Sequence, residues 1–467
     1  MALRKALYCA KTGYQSKIAV MASGITTLLC AQFAARKPLN TQSVPKTNQK
    51  LSKPSKMLSR VKNLSQEFPR TFWVLTGATF IDQVGGWLLF PFFALYVTEH
   101  FGVGMTEVGI LFAIFSIANL IGGVIGGALT DKLGRKWMLM FGLIASASSS
   151  LLMAVVNDLV VFYGLAVIVG LLTTAGGPAQ QAMVADILPE KKQAEGYGLQ
   201  RVSLNLAAAI GPAIGGLLAG QSFLLLFVTD AVSSIITAVI VYFALPETKP
   251  QAGKQAEQES LVQSIKGYRT VLQDSLFMTF WLVSTLAVLA YSQVNSTLSV
   301  YLRDVHGLTA QSYGYLLSLN AAMVVLFQFW VTRRVSKFPA MLMMAAGSAL
   351  YGIGFGMIGF VSGLGLFAVA MIIVTIGEMI IIPVAQALVA RLAPEDKRGR
   401  YMAAFGFTWT IPFAIGPLLA GLIMDNLNPD LVWYLSGLIG LIAAAGYLWL
   451  QLRGAQRVGP ALETENQ

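Results

Sequence analysis

Three carboxylates stand inside long apolar runs of this chain: Asp82, Asp230 and Glu378. An ionised acid in such a setting costs at least a few kcal/mol, so each must face a wet cavity, pair with another polar group, or hold a proton. A carboxyl group that takes and releases a proton in apolar surroundings is suited to proton coupling. No competing chemistry is visible. Both cysteines, Cys9 and Cys30, precede the apolar region, and His100 and His306 stand alone. The patterns H-x-x-x-H, H-E-x-x-H, G-x-S-x-G and GxxxxGK[ST] are absent. No catalytic set, metal site or cofactor is expected.

The elements that must carry these acids follow from composition. Of 467 residues, 55% are apolar and 12% charged, where a soluble protein carries charge on roughly a quarter of its positions. Mean hydropathy is +0.65. A water-soluble globule is excluded, and an all-α membrane protein is implied. Apolar runs fall at 71–97, 106–129, 137–156, 159–185, 199–219, 222–245, 277–302, 311–332, 339–361, 364–390, 402–424 and 431–451. Each is near the roughly 20 residues that a spanning helix needs, so twelve transmembrane helices, spans 1 to 12, are expected. Asp82 lies in span 1, about 11 residues or roughly 16 Å from its start, hence near the midplane. Glu378 lies at a similar depth in span 10. Asp230, in span 6, is nearer the other face, where a structural hydrogen bond is its expected duty.

Charge sets the orientation. Residues 1–70 hold 13 of the 33 Lys and Arg against one acid, Glu67, leaving 20 bases and 21 acids in the remainder. The basic balance therefore belongs to a tail, and no nucleic-acid partner is inferred. If span 1 starts in the cytoplasm, 19 of those 20 bases fall on inside segments and one, Arg303, outside, as the positive-inside rule demands. Both termini are expected in the cytoplasm of a multi-pass cell-membrane protein. The polar stretch 246–274 reads as a linker between six-helix bundles at 71–245 and 275–452, with a surface helix over 261–272 and a cytoplasmic tail over 453–467. Residues 1–70 read as a disordered basic extension, Met57 opening the short lead into span 1; a targeting segment or a thirteenth span over 18–35 are the alternatives.

The two halves match at a constant offset of 205 positions. Tyr96 pairs with Tyr301, Gly102 with Gly307, Gly109 with Gly314, Pro178 with Pro383, Gly211-Pro212 with Gly416-Pro417, and Gly216 with Gly421. Six spans per copy keep both copies in one orientation, a parallel repeat about an axis along the membrane normal, with a cavity between the halves near the midplane.

The end of span 2 reads Gly126-Gly127-Ala128-Leu129-Thr130-Asp131-Lys132-Leu133-Gly134-Arg135-Lys136. This resembles the G-x-x-x-D-x-x-G-R-K loop of the major facilitator superfamily, and the likeness extends over residues 71–452. The resemblance implies that Gly127, Asp131, Gly134, Arg135 and Lys136 form a cytoplasmic gate, an ion-pair latch that breaks when the halves rock. In the second half Thr332-Arg333-Arg334 lacks the acid, so a matching latch is degenerate. In span 5, Gly198, Ala207, Gly211-Pro212 and Gly215-Gly216 are similar to the superfamily's antiporter motif, with Ala207 in place of one glycine. Proline removes a backbone hydrogen bond, and the small residues let helices approach. Span 4 has Ala166 four residues before Gly170, where many proton-coupled members carry arginine.

In that architecture spans 1, 4, 7 and 10 line the cavity, which implies that Asp82 and Glu378 approach the same space as proton-coupling groups. The further lining residues expected are Phe90, Asn119, Gln181, Tyr291, Asn295, Asn320, Gln386 and Trp409; an interhelical hydrogen bond or lipid-facing packing is the plainer duty for each. The resemblance is to the drug and proton antiporter branch. It implies a monomeric secondary active transporter in the lipid bilayer, moving small amphiphilic or cationic molecules out of the cytoplasm by alternating access in exchange for protons. A facilitator or symporter for a sugar, peptide or other metabolite is the alternative; an enzyme is not expected.

Overall fold

The computed structural model describes residues 67–248, 269–394 and 397–454, apart from the side chains of Asp131 and Ala194. Most of the expected disordered extension, the linker over 249–268 and the tail after 454 lie outside the described residues, as does most of the expected surface helix, of which residues 269–273 are helical. Residues 1–73 and 74–467 form two compact units. The described part of the first is the entry to span 1, where Phe68, Phe72 and Trp73 pack ring to ring with centroids 5.0–6.0 Å apart.

The described chain has twelve helices long and apolar enough to cross a membrane. In order they are Arg70–Phe101, Met105–Thr130, Arg135–Val155, Leu159–Ile187, Glu190–Ala219, Phe223–Ala244, Ser275–Ser296, Ala310–Val335, Ala340–Ile358, Leu364–Leu392, Arg398–Asn426 and Leu431–Arg453. These are spans 1 to 12 below. Span 5 begins well before its apolar run because Pro189 starts the helix and Glu190, Lys191 and Lys192 form its first turn outside the apolar layer. Span 1 is interrupted by a 3-10 turn at Phe90–Phe92, where Pro91 cannot supply a backbone donor. Span 7 breaks at the equivalent place: its helix ends at Ser296, and a second, Leu298–Asp304, follows Thr297. Both spans end in a left-handed glycine, Gly102 at φ 65° and Gly307 at φ 63°, a geometry that needs no Cβ. The repeat is therefore structural as well as sequential.

Within the first half, span 3 packs on span 6 and span 2 on span 4; within the second, span 9 packs on spans 10 and 12, and span 7 on spans 11 and 12. The repeated tyrosines tie each half internally, Tyr96 Oη donating to the Met153 carbonyl at 2.8 Å and Tyr301 Oη to Asp430 Oδ1 at 2.7 Å. Two seams join the halves, span 2 on span 11 and span 5 on span 8. They are equivalent under the 205 offset. A Cβ added at Gly109 would lie 2.3 Å from the Leu418 Cα, and one at Gly216 would lie 2.9 Å from the Gly314 Cα. Such approaches need glycine. Both seams sit toward the span ends that face away from the basic connections, so it is there that the halves close on each other.

Candidate functional site

Glu378 is the centre of one polar cluster. Span 10 presents it between spans 7 and 8, where Asn320 Nδ2 donates to its Oε2 at 2.7 Å and to Thr375 Oγ1 at 3.0 Å. Tyr291 of span 7 is hydrogen bonded to the same carboxyl group. Aromatic rings continue from there. Tyr291 stacks on Tyr351 at 5.7 Å, meets Trp409 edge-on at 5.9 Å, and Trp409 stacks on Phe413 at 6.2 Å. Glycine makes room for this arrangement: a Cβ at Gly377 would lie 2.9 Å from Tyr351 Cδ1. Chemically, the cluster joins one acid to several ring faces whose quadrupoles attract positive charge.

Asp82 belongs to a second cluster, wholly within the first half. Ser234 Oγ of span 6 donates to Asp82 Oδ1 at 2.6 Å and lies 3.4 Å from Ser146 Oγ of span 3. Asp230, one turn before Ser234, accepts from Ser150 of span 3, one turn after Ser146. Asp230 is 6% exposed, against a half-buried Asp82, and the two carboxylates lie close enough to interact electrostatically. Gly85 allows the approach, since a Cβ there would lie 3.1 Å from the Asp230 Cα. Asp82 and Glu378 thus have different hydrogen-bond partners. Each holds partners in its own half, and Asp82 has Asp230 as an electrostatic neighbour. Sequence reasoning missed Ser146, Ser150 and Ser234; their four-residue spacing opposite Asp230 was the available signal.

The other expected lining residues divide. Tyr291, Asn320 and Trp409 join the Glu378 cluster. Gln386 and Trp409 line a small cavity with Val288, Met344, Ile381 and Phe405. Asn295, one turn beyond Tyr291 on span 7, is buried. Phe90, at the start of the 3-10 turn, packs against Trp87 and Phe112 at 5.9 Å each. Asn119 lies on span 2, where its carbonyl accepts from Thr174 Oγ1 at 3.2 Å. The Gln181 side chain is exposed, and its carbonyl accepts from Tyr197 Oη at 3.0 Å.

The described contacts of the rim motif at the span 2 to span 3 turn include several inside the first half. Arg135 Nε pairs with Asp186 Oδ2 of span 4 at 3.2 Å, and Lys136 Nζ donates to the Tyr242 carbonyl of span 6 at 2.7 Å. Glu247, just after span 6, accepts from the Arg135 amide at 2.8 Å and from the Lys136 amide at 3.2 Å, which caps the start of span 3. Gly134, at φ 104°, lets that carboxylate in: a Cβ there would lie 2.5 Å from Glu247 Oε2. Gly127 leaves only Pro178 within 4 Å of an added Cβ, and the Asp131 side chain is outside the described residues. The described contacts of Arg135 and Lys136 brace spans 3, 4 and 6. Sequence reasoning missed Asp186 and Glu247. In span 5, Gly211 and Gly215 pack on span 1 beside Trp87 and Leu88, while Gly216 and the Pro212 carbonyl meet Gly314 across the seam. Gly198, near the basic end, belongs to the early part of the same helix.

Comparison with known proteins agrees with this geometry. A family model described as the Major Facilitator Superfamily matches residues 75–411 and 310–466. The chain is 27% identical over 425 residues to a protein of Planococcus maritimus described as a Na(+), Li(+), K(+)/H(+) antiporter, covering 82% of this chain and 96% of that one. It is 24% identical over 408 residues to Multidrug resistance protein MdtH of Escherichia coli (strain SE11), covering 86% and 98%. Among solved structures, the nucleoside transporter NupG superposes with a TM-score of 0.71 at 14% identity, covering 82% of this chain and all of that one. A POT family transporter bound to a thioalcohol-conjugated peptide gives 0.68 at 16% identity, covering 83% and 99%. At those identities the structural likeness concerns the fold alone.

Proposed function

This chain belongs to the Major Facilitator Superfamily, and we propose that it carries small amphiphilic or cationic molecules out of the cytoplasm in exchange for protons. It is a multi-pass membrane transporter of small molecules, not an enzyme. The observation that carries the finer reading is the Glu378 cluster, in which one carboxylate is set among Tyr291, Tyr351 and Trp409 at a depth where lipid surrounds the bundle. A flat organic cation finds there both a countercharge and ring faces. A neutral sugar would need many more hydrogen-bonding side chains than Asn320, Gln386 and Tyr291 offer. The two relatives named as an antiporter and a multidrug resistance protein support exchange and efflux.

The exchange is assigned to Asp82 and Glu378 together, each of which answers the cost of its charge with hydrogen-bond donors. The asymmetry of bases supports a reading with both termini in the cytoplasm and the rim motif at the inner mouth. An arrangement with seams closed away from the basic connections fits a state that receives cargo from the cytoplasm, as an exporter requires. Alternating access requires the seams to part as the inner ends meet. The test is proton movement by purified, reconstituted protein on addition of tetraphenylphosphonium, with Asp82→Asn and Glu378→Gln as controls. Proton release on binding that is lost in the variants supports the exchange. Unchanged coupling in both would end it, and cation-independent uptake of a sugar, nucleoside or peptide would support facilitation instead.

A further inference from the structure

The far-side seam between spans 2 and 11 holds a carboxylate whose partners belong to the other half of the molecule. Span 2 starts at Met105 after Gly104, which has no side chain with which to cap the helix. Its first amides are nonetheless satisfied. Asp425, near the end of span 11 and 320 positions away, accepts from the Met105 amide through Oδ1 at 3.0 Å and from the Thr106 amide through Oδ2 at 2.7 Å. Two orphan donors of a helix start and the positive end of its dipole meet one carboxylate. The seam is shaped for this. A Cβ at Gly104 would lie 2.5 Å from Asp425 Oδ2, and one at Gly421, a turn earlier on span 11, would lie 2.4 Å from the Met105 carbonyl.

Symmetry makes the contact stand out. The position equivalent to Asp425 in the first half is Gly220, and span 8, the counterpart of span 2, is capped locally by Thr309, whose Oγ1 accepts from the Ser312 amide at 3.3 Å. The two seams share their glycine packing, yet only the span 2 to span 11 seam places a carboxylate on the opposite half's helix start among the described residues. An ion pair between the halves on this side, Arg303 with Glu99, is 3.9 Å long with Glu99 exposed, so solvent screens it.

We propose that Asp425 is the clasp of the far-side gate: by capping span 2 from the opposite half it favours the state closed on that side, and opening requires its release. The inference rests on the alternating access proposed above and is independent of what is carried. Charge-assisted hydrogen bonds to backbone amides are made in the closed state and exchanged for water in the open one. The seam glycines bring the two helices together, and the carboxylate biases how long they stay so.

The test reads distance rather than transport, so a wrong cargo leaves it untouched. Spin labels at Asn157→Cys and Ser362→Cys, on far-side connections of the two halves, are placed in a full chain carrying Cys9→Ser and Cys30→Ser. Their separation is measured in nanodiscs without substrate. Asp425→Ala is expected to raise the ratio of long to short separations at least tenfold, with Asp425→Asn in between because one amide oxygen still accepts. Gly104→Ser added to Asp425→Ala gives span 2 its own cap. This double variant is expected to recover thermal stability while staying shifted to long separations. An unchanged distribution in Asp425→Ala, or a native one in the double variant, overturns the proposal, the latter by reducing Asp425 to an ordinary helix cap.

Discussion

Replacing Glu378 by glutamine removes a charge and little else. The amide has nearly the carboxylate's volume and can turn an oxygen toward Asn320, which now donates at 2.7 Å, so packing with Tyr291 and Thr375 is retained. A cation resting on the rings of Tyr291 and Trp409, themselves 5.9 Å apart, would lie within about 6 Å of a centroid and about 5 Å from the carboxylate. At an effective dielectric of about 20, two unit charges at that separation attract by about 3 kcal/mol. Partial loss of hydration offsets some of this, leaving about 1.4 to 2.8 kcal/mol, or a tenfold to hundredfold change in Kd. Isothermal titration of the purified chain with tetraphenylphosphonium, and with neutral triphenylphosphine oxide as its uncharged counterpart, separates charge from shape. The cation should weaken at least tenfold in Glu378→Gln and the neutral compound by less than twofold. Equal weakening of both would mean that the substitution disturbs packing, and no weakening of either would remove Glu378 from the site.

Three further outcomes are expected. Asp82→Asn and Asp230→Asn should each slow proton-driven export, and the double variant should fall well short of the product of the single effects, because the two carboxylates interact electrostatically; strict additivity would separate them. Gly216→Val forces a side chain onto Gly314, an overpacking cost of about 1 to 3 kcal/mol in the closed seam, so the share of long separations between labels at Asn157→Cys and Ser362→Cys should rise; an unaltered distribution would mean that the seam does not open. Glu247→Ala uncaps span 3 and should cost about 1 kcal/mol of stability, lowering the thermal midpoint while leaving cation affinity alone. A change in affinity there would show that the brace reaches the binding region.

The twelve spans were legible because lipid imposes one requirement on every crossing segment, and hydropathy reports it directly. What hydropathy does not report is helix beyond the apolar layer, hence the early start of span 5 at Glu190, or a break without proline, as at Thr297. Acids in apolar runs were equally legible, since their cost is a property of the residue. Their partners were not. A helical face containing Asp82, Gly86 and Phe90 says that the three can point one way but not toward which neighbour. Serines 146, 150 and 234 look like ordinary small residues until spans 3 and 6 are brought together. Glu247 and Asp425 were invisible for the same reason: each caps a helix whose start is 112 or about 320 positions away.

The internal duplication adds a constraint on how the work is divided. Positions that kept their identity across the 205 offset, such as Tyr96 and Tyr301, Gly102 and Gly307, or Gly109 and Gly314, are those that end spans, tie a half together or form a seam. Motion of two halves about a common axis needs such parts in duplicate. The polar clusters were not duplicated. Asp82 and Asp230 correspond to Ala287 and Leu435, while Glu378, Asn320 and Tyr291 correspond to Thr173, Phe115 and Gly86. If one acid served cargo and proton by direct competition, a single cluster would suffice, and a second acid site in the other half would bear its desolvation cost without return. Two unlike clusters, each bonded inside its own half, fit a division in which the serine-linked aspartates take the proton and the aromatic-flanked glutamate takes the cargo. Coupling would then pass through the rigid movement of the halves rather than through a shared carboxylate. That division predicts that Asp82→Asn abolishes the pH dependence of tetraphenylphosphonium transport while leaving its equilibrium binding within about threefold of native, since threefold is well under 1.4 kcal/mol. A loss of binding as large as that in Glu378→Gln would return both acids to one site.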